Sequence, residues 1–184
     1  MARMFYRYSA MNAGKSTYLL QVAHNYNENG KEVFLLTSAL DGRDGYGVIS
    51  SRIGLKREAV TYNESTDFQE LLKEVDVACI LVDEAQFLTF EQVRQLHQFV
   101  HRCNIPVMCF GIRSDFQGNP FPGSAALLTL ADDLEEIRTV CACGKRATMN
   151  LRTDENGVRV REGDQVMIGG NSRYRQVCAK CFYS

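Results

Sequence analysis

Residues Ser9-Ala10-Met11-Asn12-Ala13-Gly14-Lys15-Ser16-Thr17 constrain this chain more than any other stretch. They follow a short apolar run, Met4 to Tyr8, and lead into a helical pattern. A tight loop between a strand and a helix turns its backbone N–H groups inward, and the helix adds its positive N-terminal end, so the unit cradles phosphate oxygens. Lys15 is placed to reach the outer phosphates, and the Ser16 hydroxyl to hold Mg²⁺. The pattern G-x-x-x-x-G-K-[ST] has Ser9 where its first Gly stands. A Gly-Lys-Ser triplet also starts helices by chance; the strand before it and the helix after it favour a phosphate-binding P-loop here.

The rest of the first two-thirds alternates strand and helix patterns. Leu19, Leu20, Ala23 and Tyr26 recur at helical spacing over Thr17 to Asn29, and Gly30 is a fitting stop. Strands are expected at Glu32–Thr37, Val77–Val82, Pro106–Gly111 and Glu136–Val140. Helices are expected at Phe68–Glu74, from a Thr89/Gln92 capping box to about Arg102, and at Ser124–Leu130. Val77 to Val82 is continuously apolar, as a strand covered on both faces requires. This predicts an α/β fold of P-loop NTPase type, a parallel sheet with helices on both faces. From Cys141 the chain turns to short polar pieces, too thin for a core, which predicts a nucleotide-binding domain over 1–140 and a small C-terminal lobe over 141–184.

A chain of 184 residues with 45% hydrophobic and 23% charged residues is that of a globular protein. The net charge of −1 lacks the basic footprint of a general nucleic-acid binder. No apolar run spans a membrane and Met1-Ala2-Arg3 enters a strand at once, which points to a cytoplasmic protein without a signal peptide. The odd count of seven Cys fits a reducing compartment. Cys79, Cys103 and Cys109 read as small core residues. Cys141, Cys143, Cys178 and Cys181 form a Cys-x-Cys and a Cys-x-x-Cys pair, which suits structural Zn²⁺ in a lobe that has no core of its own.

Asp83-Glu84-Ala85-Gln86-Phe87 places two carboxylates past the C-terminal end of a buried strand, the sheet edge where the P-loop also opens. Asp83 fits a metal-positioning acid and Glu84 a proton acceptor; an acid pair ahead of a helix is the plainer alternative. Arg43, in the Gly-rich run Asp41 to Gly47, suits phosphate contact and equally suits a surface loop. Phe116 and Phe121 lie in a polar loop after another strand, to line a pocket or to pin the loop. His97 and His101, four apart on one helix, have no acid or Cys pattern beside them in the sequence and read as a solvated face.

These residues together resemble the type II thymidine kinases of bacteria, the zinc-containing class with a P-loop core. The likeness runs from Met4 to Cys181. It rests on Met11-Asn12-Ala13-Gly14-Lys15-Ser16, Asp41-Gly42-Arg43, Asp83 to Phe87, Asp115-Phe116-Gln117 with Phe121, Ile168-Gly169-Gly170 with Tyr174, and the Cys pairs. The resemblance implies transfer of the γ-phosphoryl of ATP to the 5′-hydroxyl of thymidine, by a homotetramer inhibited by thymidine triphosphate. It implies that Ser9, Ala10, Met11, Asn12, Ala13, Gly14, Lys15, Ser16, Thr17 and Arg43, with Asp83, Glu84, Ala85 and Gln86, hold ATP and its Mg²⁺, and that Glu84 is the general base. Met11, Phe87, Ile112, Phe116 and Phe121 match positions around the base. Asn150, Met167, Ile168, Gly169, Gly170 and Tyr174 fall on a lasso of about Met149 to Tyr174 that closes over thymidine. Ser9 and the shortened Cys-x-Cys depart from the commonest family pattern. Two rival functions share parts of this pattern: a helicase-like ATPase, which needs two such cores, and a zinc-bearing nucleotide switch with no small substrate.

Overall fold

A computed structural model describes residues 1–40, 45–167 and 171–184. The chain opens with strand β1 (Met4–Ser9), the phosphate-loop segment and helix α1 (Lys15–Glu28). Strand β2 (Val33–Ser38) follows, then a hairpin of β3 (Val48–Ser50) and β4 (Lys56–Glu58), then β5 (Val60–Tyr62). The next elements are α2 (Phe68–Leu71), β6 (Cys79–Val82), α3 (Phe90–Cys103), β7 (Val107–Ile112), α4 (Pro122–Leu130) and β8 (Asp133–Glu136).

Six strands form one parallel sheet in the order β5-β2-β6-β7-β1-β8. One face is covered by α1, whose Leu19, Leu20 and Ala23 pack with Leu35, Cys79, Leu81 and Phe110. The other face carries Val93, Leu96 and Val100 of α3 and Leu127 of α4 against Met4, Leu36, Ile80 and Val107. Each fully buried Leu, Ile or Val of these layers contributes about 1.5–3 kcal/mol. The capping box at Thr89 forms as expected, the Thr89 hydroxyl accepting from Gln92 N–H and the Gln92 side chain accepting from Thr89 N–H. Gln92 also donates to the carbonyls of Asn63 and Thr66, which ties α3 to the turn ahead of α2.

The C-terminal segment holds β9 (Thr139–Val140) and β10 (Arg146–Ala147) as one hairpin, and β11 (Met149–Thr153), β12 (Arg159–Val160) and β13 (Tyr174–Val177) as a three-stranded antiparallel sheet. The chain ends in α5 (Ala179–Tyr183).

The sequence does not predict the hairpin β3–β4 or the edge strand β5, α2 ends at Leu71 rather than Glu74, and three further details differ. The last strand of the parallel sheet is Asp133–Glu136, and Thr139–Val140 pairs instead with the hairpin. β8 is acidic because Arg7 of β1 lies beside it, 2.6 Å from Asp133 and 3.0 Å from Glu135, so charge pairing replaces an apolar pattern at this edge. Cys103 is exposed at the end of α3, unlike the buried Cys79 and Cys109. His97 and His101 have an acid beside them after all: Asp132, brought in by the turn between α4 and β8.

Candidate functional site

The phosphate loop leaves β1 at Ser9 and enters α1 through Gly14, whose φ of +85° is a conformation that L side chains rarely adopt. A Cβ there would meet nothing within 4 Å, so backbone conformation alone demands the glycine. No side chain caps α1 and no acid occupies its first turn, which leaves its N-terminal N–H groups and positive end for an anion. Ser9 is still strand, with no positive φ to require glycine. Its hydroxyl, buried, donates to the Ala10 carbonyl at 2.5 Å and accepts from Lys15 Nζ at 3.1 Å. Ser9 and Ala10 therefore lie beneath the loop and position the lysine.

Asp83 and Glu84 follow β6. Asp83 is buried, with Oδ2 accepting from Ser16 Oγ at 3.3 Å. Glu84 sits at φ +53°, the left-handed region, and its carboxylate accepts from the Gln86 amide. Two contacts hold this turn. Tyr62, buried at the end of β5, donates to the carbonyls of Glu84 at 2.7 Å and Asp83 at 3.2 Å. Gln86 accepts from Ile112 N–H at 3.3 Å, and Gly111 lets β7 come this close, since a Cβ there would lie 2.8 Å from Gln86 Oε1. Burial and the neighbouring Glu84 and Asp83 push the Tyr62 phenol well above its usual range, so it stays a donor. Ala85 is buried behind the turn.

A cavity of about 670 Å³ joins these parts. Its floor is Met11, Asn12 and Ala13 through Thr17, with Glu84 and Gln86 beside it. Phe87, Ile112, Phe116 and Phe121 line it as well, and Asn150, Met167 and Tyr174 come from the C-terminal sheet and its connection. Phe116 and Phe121 are buried and Phe121 meets Phe87 edge-on at 5.9 Å, so the loop is pinned and lines the pocket at once. Asp115 Oδ1 holds that loop by accepting from Gln117 and Asn119 N–H, each at 2.9 Å. Arg43, Ile168, Gly169 and Gly170 lie outside the described residues.

Four features were not anticipated. The hairpin β3–β4 contributes Ser51, Arg52, Ile53 and Gly54 to the cavity wall. Arg152 is buried with its guanidinium 3.7 Å from the centroid of the Phe116 ring. It also donates to the Tyr174 hydroxyl and to the Gln165 carbonyl, and Gln165 in turn donates to Asp115 at 2.9 Å. Asn150 is spent on the protein itself: it accepts from Met11 N–H at 2.7 Å and donates to the Ser114 carbonyl at 2.9 Å. Asn12 adds a bond to Gln176 at 3.0 Å, so the phosphate loop is laced to the C-terminal sheet. Arg152 and Asn150 stand in a polar strand pattern, and only tertiary pairing shows what they touch.

The four cysteines converge, every sulfur within 4.8 Å of the others and Cys143 and Cys178 at 3.6 Å. A tetrahedral ion with 2.3 Å bonds to sulfur needs S···S separations of about 3.8 Å. The N–H groups of Cys143 and then Cys178 pull the Cys141 thiol down to about 6, and that of Cys181 lowers Cys178. The Cys178, Cys143 and Cys141 sulfurs push Cys181 up to about 12, since thiolate charge accumulates there. Gathered soft donors whose negative charge calls for a cation are compatible with zinc, and Gly144 completes the tight turn after Cys-x-Cys with φ +84°.

A family model described as thymidine kinase matches residues 2–182. A thymidine kinase of Chromobacterium violaceum is 58% identical over 184 residues, covering 100% of this chain and 99% of its own length. One from Albidiferax ferrireducens is 57% identical over 183 residues, covering 100% of this chain and 93% of its own. One from Idiomarina loihiensis is 53% identical, covering 98% and 95%. A likeness that takes in both the phosphate loop and the cysteine lobe extends to the chain as a whole, which belongs to the thymidine kinase family.

Proposed function

We infer that the chain transfers the γ-phosphoryl of ATP to the 5′-hydroxyl of thymidine. The observation that carries this is one cavity, within the roughly 300–1,000 Å³ of small-molecule sites, in which the phosphate loop, the Glu84 carboxylate and an aromatic wall meet. Both rivals account for the loop and the acids, and neither needs a buried aromatic pocket beside them.

In this reading the N–H groups of residues 12–17 and Lys15 bind the ATP phosphates, with Met11 N–H held by Asn150 and Arg43 contributing from its loop. Ser16 and Asp83, hard oxygen donors held together by their hydrogen bond, would hold Mg²⁺, which neutralises phosphate charge when bound. Glu84 accepts the proton of the 5′-hydroxyl as that oxygen bonds to the γ-phosphorus and the bond to the β-phosphate oxygen breaks, releasing ADP. Phe116, Phe121, Phe87, Ile112, Met11 and Tyr174 shape the base pocket, with the lasso carrying Asn150, Met167, Ile168, Gly169 and Gly170. The cysteine quartet would hold one structural Zn²⁺ in the C-terminal lobe, and the boundary expected at 140/141 falls directly after β9, which pairs with β10 of that lobe. The homotetramer, feedback by thymidine triphosphate and a cytoplasmic site of action rest on the family likeness; among the described residues no helix is long and apolar enough to cross a membrane.

The test is ADP release measured with thymidine, with nucleic acid and with neither. Stimulation by thymidine alone is expected, and Glu84→Gln, which keeps size and cannot take a proton, should lower kcat by on the order of 10²–10⁴-fold with modest change in both KM values. Turnover stimulated by nucleic acid instead would favour the helicase-like reading, and full activity in Glu84→Gln would reduce Glu84 to a positioning role.

A further inference from the structure

We propose that His97, His101 and Asp132 form a second metal site, for a divalent first-row ion such as Zn²⁺, distinct from the cysteine quartet and from the catalytic cavity. His97 and His101 stand one turn apart on α3, and their Nε2 atoms face each other at 3.2 Å. Asp132 approaches from the turn between α4 and β8, Oδ1 lying 3.8 Å from His97 Nε2 and Oδ2 3.4 Å from His101 Nε2. An ion bonded to nitrogen and oxygen at 2.0–2.1 Å in a tetrahedral site separates its ligand atoms by about 3.3–3.4 Å. The three observed separations bracket that value, with one carboxylate oxygen facing each imidazole, so two nitrogens and a carboxylate are already gathered at coordination spacing.

Three further observations fit a cation. Imidazole nitrogen with a carboxylate is a donor set suited to Zn²⁺, Ni²⁺ and Cu²⁺. Asp132 is pinned, because Oδ2 accepts from Met4 N–H at 2.8 Å and Asp132 N–H donates to the Met4 carbonyl; a ligand whose carboxylate is oriented in advance binds more tightly. His101 lies in the last turn of α3, where the helix dipole is negative. All three side chains keep between 28% and 36% of their surface exposed, which leaves an entry path and a fourth position for water. The site adjoins Met4, where β1 begins, and the phosphate loop leaves the other end of that strand, about 17–20 Å away for six residues. It joins α3 to the sheet edge and touches no group assigned to phosphoryl transfer. The inference is independent of the kinase reading.

Equilibrium dialysis against buffered Zn²⁺, with bound metal counted by elemental analysis, tests it. The intact chain should hold one more ion than the double variant His97→Gln/His101→Gln, and Asp132→Asn, which can keep the Met4 contact, should weaken that ion by more than about 10-fold. Zn²⁺ should shift the imidazole ¹⁵N resonances of His97 and His101 and leave exposed His24 on α1 unmoved. It should also raise the melting temperature of the intact chain and not that of the double variant. Thymidine-dependent turnover should be the same in both. Equal metal counts in the intact chain and the double variant, or resonance shifts shared by His24, would overturn the proposal, whatever the cysteines hold.

Discussion

Removing one buried hydroxyl, Tyr62→Phe, should separate the geometry of Glu84 from the rest of the site. The ring stays: it is buried and packs against Phe68 at 5.8 Å. Only the donation to the carbonyls of Glu84 and Asp83 is lost. A hydrogen bond contributes about 0.5–1.5 kcal/mol net, and a buried acceptor left unpaired costs about 1–3 kcal/mol. The left-handed conformation of Glu84 itself costs about 1–2 kcal/mol for a residue with a Cβ. The bond and the strain it opposes are of the same size, so without the hydroxyl the Glu84 peptide should sample other conformations much of the time. Thermal unfolding should fall by about 2–12 °C, taking about 2–4 °C per kcal/mol for a chain of this length. In steady-state assays kcat should fall by on the order of 10-fold, as a loss of about 1.4 kcal/mol implies. Both KM values should hold, since neither the phosphate loop nor the aromatic wall is touched. Phe68→Leu is the control: it removes packing without the hydroxyl, and should lower the melting temperature with kcat intact. If Tyr62→Phe melts earlier yet turns over normally, the idea that this tyrosine sets the carboxylate is wrong.

The other predictions concern separate walls of the site. Lys15→Ala should abolish ATP-dependent phosphorylation while melting within a few degrees of the intact chain; near-normal turnover would remove the phosphate-loop assignment. Arg152→Met should raise the thymidine KM at least about 10-fold and the ATP KM little, because it frees Phe116 and Tyr174 from one another; comparing the two KM values checks this, and equal changes would count against it. If the quartet holds zinc as proposed, the intact chain should carry about one ion there and Cys178→Ser should lose it and destabilise the chain, which elemental analysis and thermal scans of reduced protein would show.

What could be read in the sequence was local, and what could not was built from distant residues. The P-loop, the Thr89 capping box and the apolar strand before Asp83 are each set by neighbours within a few residues, so their chemistry shows in the order of the letters. β5 and β8 are edge strands; β5, Val60-Thr61-Tyr62, is too short for its alternation to stand out, and β8 is acidic because Arg7, on another strand, neutralises it. Among the cysteines, the paired spacing announced a cluster, while Cys103 looked like its two buried counterparts until the end of α3 proved exposed. The spacing of His97 and His101 was legible, and the third partner was not, since Asp132 lies 31 positions beyond His101 in the numbering.

The same division explains how the site is assembled. The phosphate loop comes from β1, the carboxylates from β6 and the first aromatic wall from the segment after β7, and β7 is hydrogen-bonded between the other two strands. A parallel sheet thus delivers three chemically different loops to one edge, spaced by the ≈ 4.8 Å between strands. The remaining wall cannot come from that edge. It is supplied by an antiparallel sheet whose strands β11 and β13 are far apart in sequence, paired Arg152 to Tyr174 and Asn150 to Gln176. All four serve the site: Asn150 and Gln176 bond to the phosphate loop, and Arg152, stacked on the Phe116 ring, bonds to Tyr174. The cysteine cluster sits at the ends of the same sheet, Cys143 ahead of β11 and Cys178 directly after β13. Holding the two strand ends together there fixes the register that aligns these four residues, so a metal remote from the chemistry would govern how the acceptor pocket faces the phosphates.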